Sequence, residues 1–234
     1  MIRIKILNPD AGMTQADFAL RCGILQEYVG PDVQLDMECI TDSDLCLDSL
    51  YEAALIAPEL IRRAMQAQAD GYHAVVLYCF SDPALEACLE VLDIPVVGAG
   101  MAACQLVPFV SRQSGLLVME PKRIPEKREY LTRRGYMPGD ISAVHAVDMA
   151  GVNVWDSREQ AIDRLCQGAQ AMIEEQGVQA VILGCLSYLG VAGEMSERLG
   201  VPVIDAAVAG VSVAESLVRQ GLRLSKKAYP RPNL

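Results

Sequence analysis

Basic residues are scarce in this chain. It carries 20 Lys and Arg against 30 Asp and Glu, a formal net charge of −10. Nucleic-acid phosphates need a basic patch, so no nucleic-acid partner is expected, and the acidic balance gives no reason for anionic membrane binding. Imidazole is nearly absent, with only His73 and His145, and none of the 8 cysteines stands in a C-x-x-C pair. A metal site is therefore not expected. No apolar run reaches the length of a membrane span, so no membrane partner is expected either. The opening Met1-Ile2-Arg3-Ile4-Lys5-Ile6-Leu7 is broken by charge and is too short for a signal-peptide core. The expected location is cytoplasmic, where a disulfide framework is disfavoured. Six cysteines, Cys22, Cys39, Cys46, Cys88, Cys104 and Cys166, read as small buried hydrophobes. Gly98-Ala99-Gly100 lacks the third glycine of a dinucleotide fingerprint, so no nicotinamide cofactor is expected.

What is present is an ordinary globular mixture over 234 residues, 52% apolar and 21% charged. That suffices for one large domain or two small ones with a proper core. Residues 2–7 are a β-branched run ending at Asn8-Pro9-Asp10, a strand entering a turn. Helices are expected over 14–28 and 58–69, the second with Pro58 in its first turn. A strand is expected over 33–40. Ala74-Val75-Val76-Leu77-Tyr78 is a continuous apolar run bounded by Gly71 and Ser81-Asp82-Pro83, which suits a buried parallel strand. Asp82 is placed to cap the following helix, and Pro95-Val96-Val97 begins another strand. The second half repeats the plan, with strands at 115–119, 141–147, 179–183 and 201–204. Its helices are expected at 126–134, after a Ser157/Gln160 capping box, up to about Leu199, and at 207–220. Alternating strands and helices give an α/β protein with parallel sheets.

The most informative feature is an internal repeat. Asp70-Gly71-Tyr72-His73-Ala74-Val75-Val76-Leu77-Tyr78-Cys79 parallels Gln176-Gly177-Val178-Gln179-Ala180-Val181-Ile182-Leu183-Gly184-Cys185. A glycine precedes each cysteine by eight residues, and an Ile-Pro-Val or Val-Pro-Val segment, at Ile94 and Val201, follows fifteen or sixteen residues later. Each cysteine thus marks the carboxyl end of a buried strand with a helix about to begin, where open α/β sheets bind ligands and helix N-termini favour thiolate. Two thiols flanking one cleft suit inversion of a stereocentre without a cofactor. One removes a proton, and the other delivers one to the opposite face. Ser81 and Ser187, each two residues after its cysteine, and nearby amides are candidate donors to the enolate oxygen. A strand that merely preserves an old duplication explains the repeat equally well.

Asn8-Pro9, Cys79-Phe80-Ser81-Asp82-Pro83 and Leu183-Gly184-Cys185 resemble the aspartate/glutamate/hydantoin racemase superfamily, most of all its hydantoin racemase branch. The likeness extends through Ile94-Pro95-Val96-Val97-Gly98 and Ala146-Val147-Asp148. It implies an α/β fold of two pseudo-symmetric lobes, each a mostly parallel four-stranded sheet flanked by helices, with the active site in the cleft between them. One lobe would comprise residues 1–98 and 205–234, the other 99–204. The resemblance implies Cys79 and Cys185 as the acid/base pair and a small-molecule substrate. It implies substrate contacts from Asn8, Phe80, Ser81, Met119, Leu186 and Ser187, no cofactor, and self-association into a homo-oligomer.

Asp10 stands where that branch usually has Asn, Met119-Glu120 where Thr or Ser is common, and Leu186 and Tyr188 where small residues are usual. The nearest strand-end cations are Lys122 and Arg123. A 5-substituted hydantoin needs no full countercharge, and its ring carbonyls acidify the C5 proton. An aspartate- or glutamate-type amino-acid racemase, a single-cysteine decarboxylase or isomerase, and a non-catalytic small-molecule binding protein are the other readings. Asp82 reads as a cap, His73 as a surface or packing residue, and His145 as a core or interface histidine.

Overall fold

A computed structural model of the chain describes residues 1–40, 47–136 and 140–233. Cys46 lies outside the described residues. The chain forms two compact units, Met1–Ala99 with Gly210–Leu234, and Gly100–Ala209. Each contains a four-stranded, all-parallel sheet flanked by helices.

In the first unit, strands β1 (Ile2–Asn8), β2 (Val33–Cys39), β3 (Ala74–Leu77) and β4 (Val96–Gly98) lie in the order β2-β1-β3-β4. The helices are α1 (Gln15–Gln26), α2 (Leu50–Ala69) and α3 (Leu85–Val91), joined by much of α8 (Ala206–Arg219). β3 has no exposed residue, as a strand covered on both faces requires. α1 is held by a complete capping box between Thr14 and Asp17.

α2 begins eight residues before the expected start. Ser49 caps it by accepting from the Glu52 N–H at 3.3 Å, and Pro58 lies inside the helix. The cap decides the start because it satisfies backbone donors that the helix cannot. Asp82 does not cap α3. The cap position is Ala84, in the left-handed region and without a side-chain bond. At the far end of α3, the Lys226 ammonium donates to the carbonyls of Leu89, Glu90 and Leu92. The C-terminal tail thereby satisfies the orphan acceptors of that short helix.

The second unit has β5 (Ser114–Val118), β6 (Ile141–Ala146), β7 (Ala180–Leu183) and β8 (Val203–Asp205) in the order β6-β5-β7-β8. Helices α5 (Ile124–Arg133), α6 (Arg158–Gln176) and α7 (Ala192–Leu199) cover it. Its core joins Leu117, Val181 and Leu183 of the sheet to Ile162, Leu165, Ala169 and Met172 of α6. α6 starts where expected, but Ser157 makes no side-chain cap bond. Sequence reading passed over α4 (Ala99–Val110), an almost wholly apolar helix carrying Pro108. Helical amphipathicity gives no signal where every face is apolar.

The two sheets share one frame. Leu7 pairs with Leu77 and Leu117 with Leu183. The next residue in each half, Tyr78 or Gly184, donates its N–H to the carbonyl of Leu7 (2.9 Å) or Leu117 (2.8 Å). Gly184 packs so closely that a Cβ there would strike the Leu117 carbonyl oxygen. Backbone cannot yield as a flexible side chain does, so Gly184→Ala is expected to destabilise the fold by roughly 1–3 kcal/mol. Urea unfolding should show a lower midpoint at unchanged slope.

Candidate active site

The frame brings each cysteine out at the carboxyl edge of its sheet, directly after a buried strand. In the first unit this edge gathers Asn8, Cys79, Phe80 and Ser81, and in the second Met119, Cys185, Leu186 and Ser187. The helices that follow begin later than the sequence suggests, at Leu85 and Ala192. Each cysteine is therefore followed by a tight turn before the next α-helix of its chain segment begins. The Asp82 N–H donates to the Cys79 carbonyl at 3.1 Å, and the Tyr188 N–H donates to the Cys185 carbonyl at 3.2 Å. Residues Leu186–Tyr188 form one turn of 3-10 helix with Cys185 as its cap.

Neither cysteine is in a disulfide, and both are half-buried. The Cys185 Sγ lies 2.8 Å from the Ser187 Oγ. Either atom can be the donor, and a hydroxyl that donates to a sulfur favours its thiolate form. Phe80 and Leu186 are buried, at 2% and 4% exposure, whereas Met119 is 40% exposed. Met119 lines an open cleft of about 550 Å³ with Glu120, Pro121, Lys122, Asp148, Met149 and Ala150, between the loops that follow β5 and β6. Asn8 is buried, and its Nδ2 donates to the Asp10 carbonyl (3.3 Å), with Met13 Sδ at 3.4 Å and Cys39 Sγ at 3.5 Å. That amide nitrogen ties down the loop leaving β1.

Asp10 accepts the Leu47 N–H at 2.6 Å, and its pKa is raised, chiefly by burial. The extra carboxylate thus has a local partner within its own unit. Near the strand-end cations, Lys127 is buried and pairs with Glu126 at 3.1 Å, and Arg123 lies 3.3 Å from the same oxygen. Sequence reading did not single out Lys127, because on a charged helix nothing distinguishes the one lysine that turns inward.

Two further groups became visible only in three dimensions. Asp82 and Ala84 are the only non-glycine residues with positive φ among the described residues, at 47° and 58°. Both belong to the loop after Cys79. Left-handed backbone costs about 1–2 kcal/mol for a residue such as alanine, and such strain persists only where the surroundings impose it. Asp82 is 2% exposed, and a Cβ on Gly98 would lie 2.5 Å from both its carboxylate oxygens. Asp205, at the end of β8, accepts from the N–H groups of Gly190 (3.0 Å), Ala207 (2.9 Å) and Val208 (3.3 Å). Burial raises its pKa against the opposing pull of those three donors. Tyr188 is buried in the core of this unit, and its hydroxyl has no hydrogen-bond partner among the described residues.

The remaining cysteines divide. Cys88 and Cys104 are buried, as expected, but Cys22, Cys39 and Cys166 are half-buried because their strand and helices border solvent. His73 accepts the Arg3 N–H through Nδ1 at 3.0 Å, a packing role. His145 lines an open groove of about 410 Å³ with Asp148, Arg164 and Gln167. Among the described residues no group of three His, Cys, Asp or Glu is placed to hold a metal ion. No described helix is long and apolar enough to cross a membrane.

Burial pushes the Cys88 thiol up to about 12. Native alkylation with iodoacetamide followed by mass spectrometry should leave Cys88 unlabelled until denaturant is added, since the thiolate is the reactive species. Asp205 makes stability depend on pH in a defined direction. Its folded pKa lies above its unfolded value near 4, so its contribution is full below about pH 4 and falls as pH rises through the folded value. Urea midpoints should therefore show Asp205→Asn gaining on the parent protein as pH rises from about 4 to about 7.

The sequence model of the Asp/Glu/Hydantoin racemase family matches residues 24–214. A hydantoin racemase of Rhizobium meliloti is 28% identical over 233 residues, covering 98% of this chain and 95% of that protein. A hydantoin racemase of Paenarthrobacter aurescens is also 28% identical over 233 residues, covering 99% and 98%. Among solved structures, an allantoin racemase from Klebsiella pneumoniae superposes with a TM-score of 0.89 at 25% identity, over 100% of this chain and 95% of that one. With the fold, the strand-end cysteines and these likenesses in agreement, the chain is an isomerase of the Asp/Glu/hydantoin racemase family.

Proposed function

We propose that this protein racemises a hydantoin-ring carbon acid without a cofactor, with Cys79 and Cys185 as alternating base and acid on one substrate. The observation that carries the reading is the shared frame. Both cysteines leave a buried central strand at the same register and enter the same carbonyl-to-N–H turn. A paired proton-transfer mechanism needs two equivalent groups, and duplicated architecture supplies them. Hydantoins and allantoin, named for the relatives, share a five-membered ureide ring with an acidic C–H beside a carbonyl.

One thiolate takes the C5 proton, so the C–H bond breaks and an S–H bond forms. The electron pair moves into the ring carbonyl as an enolate. The opposite thiol then gives its proton to C5 on the other face and becomes the thiolate. Ser81, Ser187 and neighbouring amides are the donors we assign to the developing oxyanion. Asn8, Phe80, Met119 and Leu186 are assigned to substrate binding. Buried Phe80 and Leu186 would shape the pocket, and exposed Met119 would meet the ring substituent. The local pairing of Asp10 with Leu47 supports this reading, because it leaves no need for a cationic substrate to balance that carboxylate.

Optical rotation of a single-enantiomer 5-substituted hydantoin, incubated with the purified protein under reducing conditions, is expected to decay to zero. Cys79→Ser and Cys185→Ser should each slow the decay by about 10²-fold or more, the scale of one general acid/base contribution. Decay no faster than the uncatalysed rate across aromatic and aliphatic substituents would overturn the assignment.

A further inference from the structure

The two halves place one buried carboxylate each at the same structural point but draw it from different chain positions. Gly98 and Asp205 are register equivalents, since Leu77 pairs with Gly98 and Leu183 with Asp205. Each is the last residue of its strand, and each is followed at once by a helix, α4 or α8. In the second half the strand end supplies the carboxylate. Asp205 reaches back to the Gly190 N–H, in the loop after Cys185, and caps α8 through Ala207 and Val208. In the first half the strand end is glycine, and the cysteine loop supplies the carboxylate. Asp82 lies against Gly98, its oxygens 2.5 Å from where a Cβ there would be.

Three observations indicate that the arrangement is specific. Asp82 adopts left-handed backbone, φ 47°, to bring its side chain there. Both carboxylates are buried, at 2% and 8% exposure. The backbone of Asp82 also closes its cysteine turn, with the Leu85 N–H donating to the Asp82 carbonyl and the Asp82 N–H to the Cys79 carbonyl, while in the other half the Gly190 N–H donates to the Asp205 carboxylate. A buried carboxylate without donors is costly, so such a group stays where it organises the backbone around it.

We propose that Asp82 and Asp205 are equivalent positioning residues, each tying its own cysteine turn to the neighbouring strand end and so holding Cys79 or Cys185 in its proton-transfer position. The inference rests on the two-cysteine reading above. It makes a prediction specific to each half. A racemase with one misplaced thiol still exchanges the α-hydrogen of the enantiomer that its intact thiol deprotonates. That thiol takes the proton, trades it with solvent, and returns deuterium to the same face.

The test is exchange of the C5 hydrogen of each enantiomer of 5-isobutylhydantoin in deuterium oxide, followed by proton NMR alongside chiral chromatography. Cys79→Ser and Cys185→Ser first establish which enantiomer each thiol serves. Asp82→Gly is expected to reproduce the one-enantiomer pattern of Cys79→Ser, with inversion reduced at least tenfold. Asp205→Asn should reproduce the pattern of Cys185→Ser. The double variant Asp82→Gly with Gly98→Asp rebuilds the second half's arrangement in the first half and should recover exchange on both enantiomers. Equal loss of exchange on both enantiomers in folded Asp82→Gly, or no recovery in a folded double variant, overturns the proposal. If the parent protein exchanges neither enantiomer, the two-cysteine reading itself fails, a result distinct from either of these.

Discussion

The position of each candidate cysteine depends on the burial of the four-residue strand before it, Ala74–Leu77 or Ala180–Leu183. Their residues are 0–1% exposed. Each fully buried valine, leucine or isoleucine contributes about 1.5–3 kcal/mol, so sliding either strand out of place would expose much of its unit's stability to water. Each strand is also locked by parallel pairing on one side to β1 or β5 and on the other to β4 or β8. A parallel pair buried on both faces has little freedom of register. The cysteine that follows is consequently delivered to one point at the sheet edge, twice, by the same means.

The polar groups around those points obey a second constraint. At the carboxyl edge of a parallel sheet, strand ends and helix starts leave backbone N–H groups that need acceptors. Asp205 satisfies three of them within its own unit, and Asp10 satisfies one near β1. Burial raises both carboxyls while these donors pull them down, and this opposition keeps buried carboxylates tolerable. Asp82 reaches the end of β4 from a left-handed backbone conformation, its carboxylate packed against Gly98. The loop after Cys79 thus holds both non-glycine residues of positive φ among the described residues, directly beside the candidate site.

Family membership and chemistry agree with this physical picture at the level each can reach. The family model over residues 24–214 makes the chain an isomerase of the Asp/Glu/hydantoin racemase family, and its similarity to hydantoin racemases and to the fold of an allantoin racemase is consistent with that. The departures from the family pattern resolve differently. Asp10 has a backbone partner, Leu186 is buried, Tyr188 turns into the core, and Met119 and Glu120 stay open at the edge of a cleft.

The sequence by itself determined the α/β class, the two-fold repeat and the strand that precedes each cysteine. These are written as continuous apolar runs of strand length bounded by glycine and turn residues, a local signal that needs no partner to be read. It also marked Cys79 and Cys185, because a repeat preserves position whatever surrounds it. Tertiary structure alone decided the rest. α4 escaped notice because a helix apolar on every face has no period, and α2 started at Ser49 because one cap bond outweighed the reading of Pro58. Asp82 looked like a helix cap from its neighbours, yet its carboxylate belongs against Gly98, sixteen residues away. Register between strands sets that pairing, and register is a property of the assembled sheet that no local stretch of sequence carries.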